Sequence, residues 1–122
     1  MNVLVFGSNR QGKHGAGAAL HARRHYGAIN GQASGFQGSS YAIITKELRA
    51  THPVVSLIDI KRGVEKFAEF VYQHPEMTFQ VTAIGCGLAG FKPEQIVPLF
   101  EACELDDCKN VFLPREFERV LR

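Results

Sequence analysis

No stretch of this 122-residue chain is apolar for long enough to cross a membrane. Met1 to Phe6 is apolar, but it lacks a basic lead and is too short for a signal-peptide core. The expectation is a chain with no membrane partner. Cysteine is scarce: Cys86, Cys103 and Cys108 make an odd count with no C-x-x-C, so a disulfide framework is not indicated and a reducing cytoplasm is the natural compartment. An excess of one charge is also missing. The net charge of +2 does not by itself imply a polyanion or a membrane surface as partner. Repeats, linkers and low-complexity tracts are absent, which points to a single domain over 1–122. A chain of this length buries roughly 65–70% of its unfolded surface, enough for one core without staples.

What is present alternates between strand and helix signals. Asn2 to Gly7 is a continuous apolar run ending in glycine, as in a strand buried on both faces. Ser8 to His14 reads as a loop, Gly15 to Tyr26 as a helix stopped by Gly27, and the glycine-rich Gly31 to Gly38 as a loop or hairpin. Tyr41 to Ile44 is a second strand. Ser56 can cap a helix to about His74, with Ile60, Val64, Phe67, Ala68 and Val71 on its buried stripe. Thr78 to Ile84 reads as a third strand. Pro93 and Glu94 open a further helix, which Pro98 can kink or shorten. Asn110 to Leu113 is a last strand, and Arg115 to Arg122 a short terminal helix. This order predicts an α/β layer fold with a mostly parallel central sheet.

Two short motifs suggest nucleotide folds and fail on mechanism. Gly7 to Lys13 fits G-x-x-x-x-G-K after a strand, but His14 stands where a P-loop needs a magnesium-binding hydroxyl. Val54 to Asp59 imitates its partner strand, yet Ser56 favours a helix start. Gly15 to Leu20 imitates G-x-G-x-x-G with leucine for the third glycine. It lies far from the strand, and Ala33 to Gln37 lacks the acid expected about twenty residues on.

More informative are two separate glycine-rich strand-to-helix junctions, Gly15-Ala16-Gly17-Ala18 and Gly85-Cys86-Gly87-Leu88-Ala89-Gly90-Phe91. In a parallel α/β sheet both lie where ligands bind, at the carboxyl ends of strands. Their backbone N–H groups and helix starts suit linked phosphates. Tight turns alone would also account for either junction taken singly.

These segments resemble macrodomains. Gly15 to Ala19 looks like the first ligand loop, Ile84 to Leu88 like the second, and Tyr41 to Lys46 like the lysine-bearing strand of one branch. That branch contains the terminal ADP-ribose protein glycohydrolase and the antitoxin macrodomains that reverse DNA ADP-ribosylation. Short bacterial and phage macro-like proteins share the same Gly-Ser-Asn, His-Gly-Ala-Gly-Ala and Gly-Cys-Gly-Leu-Ala-Gly segments. The resemblance spans about Val3 to Val111. It implies a minimal three-layer fold and a cleft for ADP-ribose or a related nucleotide, with ADP-ribosylated DNA or protein as wider partners. No cofactor or metal is implied. The first loop would hold the distal ribose and a phosphate, and Gly85 to Gly90 would wrap the diphosphate. Lys46 would be the catalytic nucleophile at the anomeric carbon of the distal ribose, neutral when it reacts. The glycohydrolase carries an aspartate where this chain has Ala89, whereas the antitoxin branch has a small residue. The aspartate that reads adenine in many macrodomains has no counterpart here.

Ser8 and Asn9 end the first strand, where an amide can bond a ribose hydroxyl or close a turn. Arg10 and Lys13 can supply positive potential or be solvated. Gln37 to Ser40 is a lid or a plain hairpin, and Phe91 flanks the ribose or packs in the core. His21 and His25 have helical spacing but lack a third zinc ligand. Cys86 reads as a small packing residue before a nucleophile. Two function classes stand: a hydrolase that releases ADP-ribose using Lys46, and a non-catalytic module that reads or sequesters such a nucleotide. A nucleic-acid-associated module is a third.

Overall fold

The computed structural model describes residues 1–121. It places strands β1 (Asn2–Asn9), β2 (Gly35–Gln37), β3 (Ser40–Lys46), β4 (Thr78–Val81) and β5 (Val111–Phe112) in one sheet of order β2-β3-β1-β4-β5. Helices α1 (Gly17–His25), α2 (Leu57–Gln73), α3 (Pro93–Ala102) and α4 (Arg115–Leu121) complete the α/β architecture. The sheet is mixed, which corrects the mostly parallel expectation. β1 runs parallel to β3 and β4, and β4 to β5, but β2 is antiparallel to β3. The cause is the short Gly38-Ser39 link, which permits only a hairpin. Gln37 to Ser40 is thus the plain hairpin of the two options. Gly38, at φ +59°, packs so tightly on Gly27 that a Cβ would lie 2.6 Å from the Gly27 carbonyl oxygen.

Alternation along the strands divides the core. Val3 and Val5 of β1 and Tyr41 and Ile43 of β3 face α2, α3 and α4. Leu4, Phe6 and Ala42 face α1 through Ala19 and Ala22. The sheet is therefore covered on both sides. α2 forms where expected: Ser56 Oγ accepts from the Asp59 N–H at 3.3 Å, while Asp59 accepts from the Ser56 N–H at 3.0 Å. All five residues of its expected stripe are buried. Backbone, then side-chain, hydrogen bonds from Ser56 hold the Asp59 carboxyl below its ordinary range, with Arg10 adding to the effect.

Other boundaries move for local reasons. β1 and β3 are longer than expected because Ser8 pairs with Ile44 and Asn9 with Lys46. β4 stops at Val81, short of Ile84. There the Thr82 hydroxyl and N–H both donate to the Val5 carbonyl, and the Ile84 N–H turns back to Thr82. α3 continues through Pro98 to Ala102. Pro98 and Glu94 are both exposed, so the carbonyl that proline leaves without a donor meets water. Arg122, the last residue of the expected terminal helix, lies outside the described residues. Among the described residues, no helix is long and apolar enough to cross a membrane.

Candidate functional site

β1 and β4 are sheet neighbours, yet the helices that follow them pack on opposite faces: α1 on one, α3 on the other. The loops leaving the two strands therefore diverge and open a crevice at their carboxyl ends. β3, parallel to β1, ends at the same edge. The resulting cleft has a volume of about 510 Å³, within the ordinary range for small-molecule sites. It brings together the end of β1, the start of α1, the end of β3 and the loop after β4.

Ser8, Asn9, Gly15, Ala16, Gly17, Ala18, Lys46, Gly85, Gly87, Leu88 and Ala89 all line it. Cys86, Gly90 and Phe91 do not, and the hydrogen bonds of the loop show why. The Cys86 N–H donates to the Ala83 carbonyl at 3.1 Å, Gly90 to Gly87 at 3.0 Å, and Phe91 to Gly85 at 2.8 Å. These internal bonds build a double turn. Thr82, Ala83, Ile84, Gly85, Gly87, Leu88 and Ala89 of this loop line the cleft, and the N–H groups of Gly85, Gly87, Leu88 and Ala89 have no partner among the described residues. Phe91 and Cys86 pack against the main core instead. Burial, then Glu116 and Glu94, push the Cys86 thiol upward, so it stays protonated and unsuited to nucleophilic attack.

Across the cleft, α1 begins at Gly17 with Ala16 at the cap position, no side-chain cap and no acid in its first turn. The first helical bond runs from the Leu20 N–H to the Ala16 carbonyl at 3.2 Å, so the N–H groups of Gly17, Ala18 and Ala19 precede it. By contrast, α2 has its capping box, and α3 begins with Pro93, which has no N–H, while Gln95 Oε1 accepts from the Lys92 N–H at 2.9 Å. The helix start at the cleft thus leaves three N–H groups, those of Gly17, Ala18 and Ala19, without a cap. A Cβ at Gly15, Gly17 or Gly87 would meet no atom within 4 Å, so each missing side chain leaves open space.

The polar residues have distinct duties. The Asn9 amide is engaged in loop closure: Nδ2 donates to the Lys13 carbonyl at 2.7 Å, and Oδ1 accepts from the Lys13 N–H at 2.9 Å. Of the two uses expected for it, turn closure is the one present. Ser8 is 3% exposed and forms part of the floor. Of the two loop cations, only Lys13 lines the cleft. Arg10 turns away to the Pro53 carbonyl at 2.6 Å and to Glu47 and Asp59, each at 3.4 Å. Glu47 follows Lys46 in sequence but is turned to Arg49, Gln11 and Arg10. The Arg49 N–H, and then the Gln11 and Arg10 side chains, hold its carboxyl below the ordinary range. Lys46 therefore faces the cleft with no ion-pair partner among the described residues.

Residue type did not single out His14, Thr45, Thr82 or Leu48. Thr45, Thr82 and Leu48 line the cleft at or just past strand ends. His14 is fully buried beneath the first loop, edge-on to Phe6 with ring centroids 5.1 Å apart. Its Nε2 faces the Gln32 carbonyl at 3.1 Å and Gln37 Oε1 at 3.2 Å. Gln37 Oε1 also accepts from the Ile29 N–H and is assigned as the amide oxygen, so both neighbours of Nε2 are acceptors. Nε2 therefore carries the proton, while Nδ1 has no partner among the described residues. A histidine in a polar, glycine-rich segment reads as solvated, and only the fold reveals it as the peg between the first loop and the hairpin. His14→Ala is expected to cost about 2–4 kcal/mol of stability, through a cavity and lost hydrogen bonds, as read by urea denaturation. An unchanged midpoint contradicts the role as peg.

The nucleotide motifs do not materialise. Gly12 packs on Gly31, where a Cβ would come within 2.7 Å of the Gly31 carbonyl carbon, and it does not line the cleft. Val54 and Val55 form no strand. His21 and His25 lie on the exposed face of α1 with ring centroids 4.8 Å apart, and no group of three metal-ligating side chains occurs among the described residues.

No family model matches this chain, and no curated protein does. Two solved structures from Bacteroides thetaiotaomicron are similar to it in fold. One, described as a protein of unknown function, has a TM-score of 0.64 at 18% identity over 92% of this chain and 85% of its own. The other has a TM-score of 0.63 at 18% identity over 92% of this chain and 87% of its own. At that identity the likeness concerns the fold alone.

Proposed function

We propose that this protein is a minimal macrodomain-like module whose cleft binds ADP-ribose or a closely related nucleotide diphosphate. One observation carries the reading: two sets of backbone N–H groups without a partner among the described residues belong to residues that line the same cleft. One set is Gly85, Gly87, Leu88 and Ala89; the other is the open start of α1. Such donors complement anionic oxygens without a metal, and the helix start adds its positive dipole end. Lys13 and Lys46 contribute positive charge. Two donor sets suit a diphosphate. A single phosphate would leave one set idle.

Two classes of activity follow from this one site. Lys46 on the cleft wall favours hydrolysis of an ADP-ribosyl linkage on DNA or protein. Ala89, which puts a methyl group in the donor loop where an acid could assist, favours a non-catalytic reader. Calorimetry with ADP-ribose and with magnesium-ATP tests the shared binding reading. ADP-ribose is expected to bind more tightly, because its diphosphate joins two sugars across the cleft. Equal or tighter magnesium-dependent binding of ATP contradicts the assignment.

A further inference from the structure

One edge of the sheet is left unfinished. β3 runs to Lys46, but its pairing with β2 ends at Gly35 opposite Ala42. Gly35 has φ +87°, and this turn carries the incoming chain off the edge. The Ser39 carbonyl accepts from the Leu4 N–H at 3.1 Å, so odd-numbered residues at the start of β3 direct their backbone groups towards β1. Even-numbered residues direct theirs outward. Ile44 is the first of these with no strand opposite it.

A recess of about 280 Å³ opens at this point. Val55 and Ile43 give it an apolar floor. Its far wall is α2, which approaches closely because Gly63 has no side chain; a Cβ there would lie 3.0 Å from Ile43 Cγ2. Arg62 and Lys66, one helical turn apart, stand on this wall, and neither forms an ion pair among the described residues. Arg10 and Asp59, also at the recess, are paired with each other.

We infer that this groove docks an extended acidic segment of a partner protein, added alongside β3. Strand addition supplies main-chain bonds to the open edge at Ile44, and alternate side chains then face the recess and α2. Carboxylates on those side chains meet Arg62 and Lys66, which gives the groove its charge preference. A second copy of this chain, paired edge to edge by a twofold axis, would bring two sets of the same cations together. A nucleic acid would use the cations but leave the backbone edge idle.

The probe is acetyl-Val-Asp-Val-Asp-Val-amide, titrated into ¹⁵N-labelled full chain at low salt. The amide signal of Ile44 is expected to shift on titration. Arg62→Glu with Lys66→Glu should weaken binding by about tenfold, with Lys66→Glu alone intermediate. Both positions are exposed on α2, and the rest of the spectrum reports that the fold is kept. An Ile44 signal unmoved at millimolar peptide overturns the inference. So does equal affinity for the same peptide with lysine for aspartate. A single-stranded oligonucleotide that binds at Arg62 and Lys66 while the aspartate peptide does not overturns it as well.

Discussion

Gly87→Val is expected to lower ADP-ribose affinity by about a hundredfold or more, roughly 2.7 kcal/mol, while leaving the unfolding free energy within about 0.5 kcal/mol of the parent. Gly87 has no positive φ, and a Cβ built on it meets no protein atom within 4 Å. Neither backbone conformation nor packing therefore requires glycine there. Its N–H is one of the four free donors of the second loop. A branched side chain would occupy the space from which a phosphate approaches, and the folded protein would scarcely register it. Gly15→Val is the matching probe on the first loop, for the same two reasons. Gly17 and Gly85 are poorer probes. Gly17 has φ +55° and Gly85 φ +75°, so valine strains the backbone at either. At Gly85 the new Cβ would also lie 3.2 Å from Ile96 Cδ1. Loss of binding in those variants would not separate ligand contact from folding. Calorimetry paired with urea denaturation separates them for Gly87 and Gly15. Parental affinity in both folded variants would falsify the two-loop cleft.

The contrast among these glycines shows how far the site is legible in the sequence. Both junctions stand out by composition, and their placement after strands follows from the order of apolar runs. That they converge does not. Convergence requires β1 and β4 to be neighbours, a pairing of Asn2 with Thr78 that no local pattern encodes. It also requires α1 and α3 to lie on opposite faces. Within a loop, composition treats Cys86 and Gly87 alike. Only the turn bonds reveal that the Cys86 N–H is engaged inward and that of Gly87 is free. α2 is the opposite case. Its capping box and its stripe from Ile60 to Val71 are local features, so its place and buried face are readable directly. Asn9 and His14 lie between these cases. Asn9 closes a local turn on Lys13, and His14 acts on Gln32, in a segment met by folding, so residue type alone leaves their duties open.

Lys46→Ala is expected to abolish release of ADP-ribose from a modified substrate while changing ADP-ribose affinity by less than about tenfold, or roughly 1.4 kcal/mol. The two effects separate because phosphate binding rests on backbone donors of other segments, the loop after β4 and the start of α1. Lys46 ends β3 at the same cleft, and its acidic neighbour Glu47 is held by Arg49, Gln11 and Arg10. In the hydrolase reading, Nζ forms a bond to the anomeric carbon of the distal ribose as the bond to the attached group breaks. The departing group takes up a proton, and water then releases the sugar from the amine. Attack needs the lone pair that an ammonium lacks, so Nζ must be neutral when it reacts. The measurement is single-turnover release from ADP-ribosylated DNA and ADP-ribosylated protein, parent against variant. Equal rates for parent and variant remove Lys46 from the chemistry. A parent that binds ADP-ribose tightly yet turns over neither substrate identifies a reader. In that case Ala89 marks the wall from which acid assistance is missing, and Lys46 serves as a fixed positive charge beside the ligand.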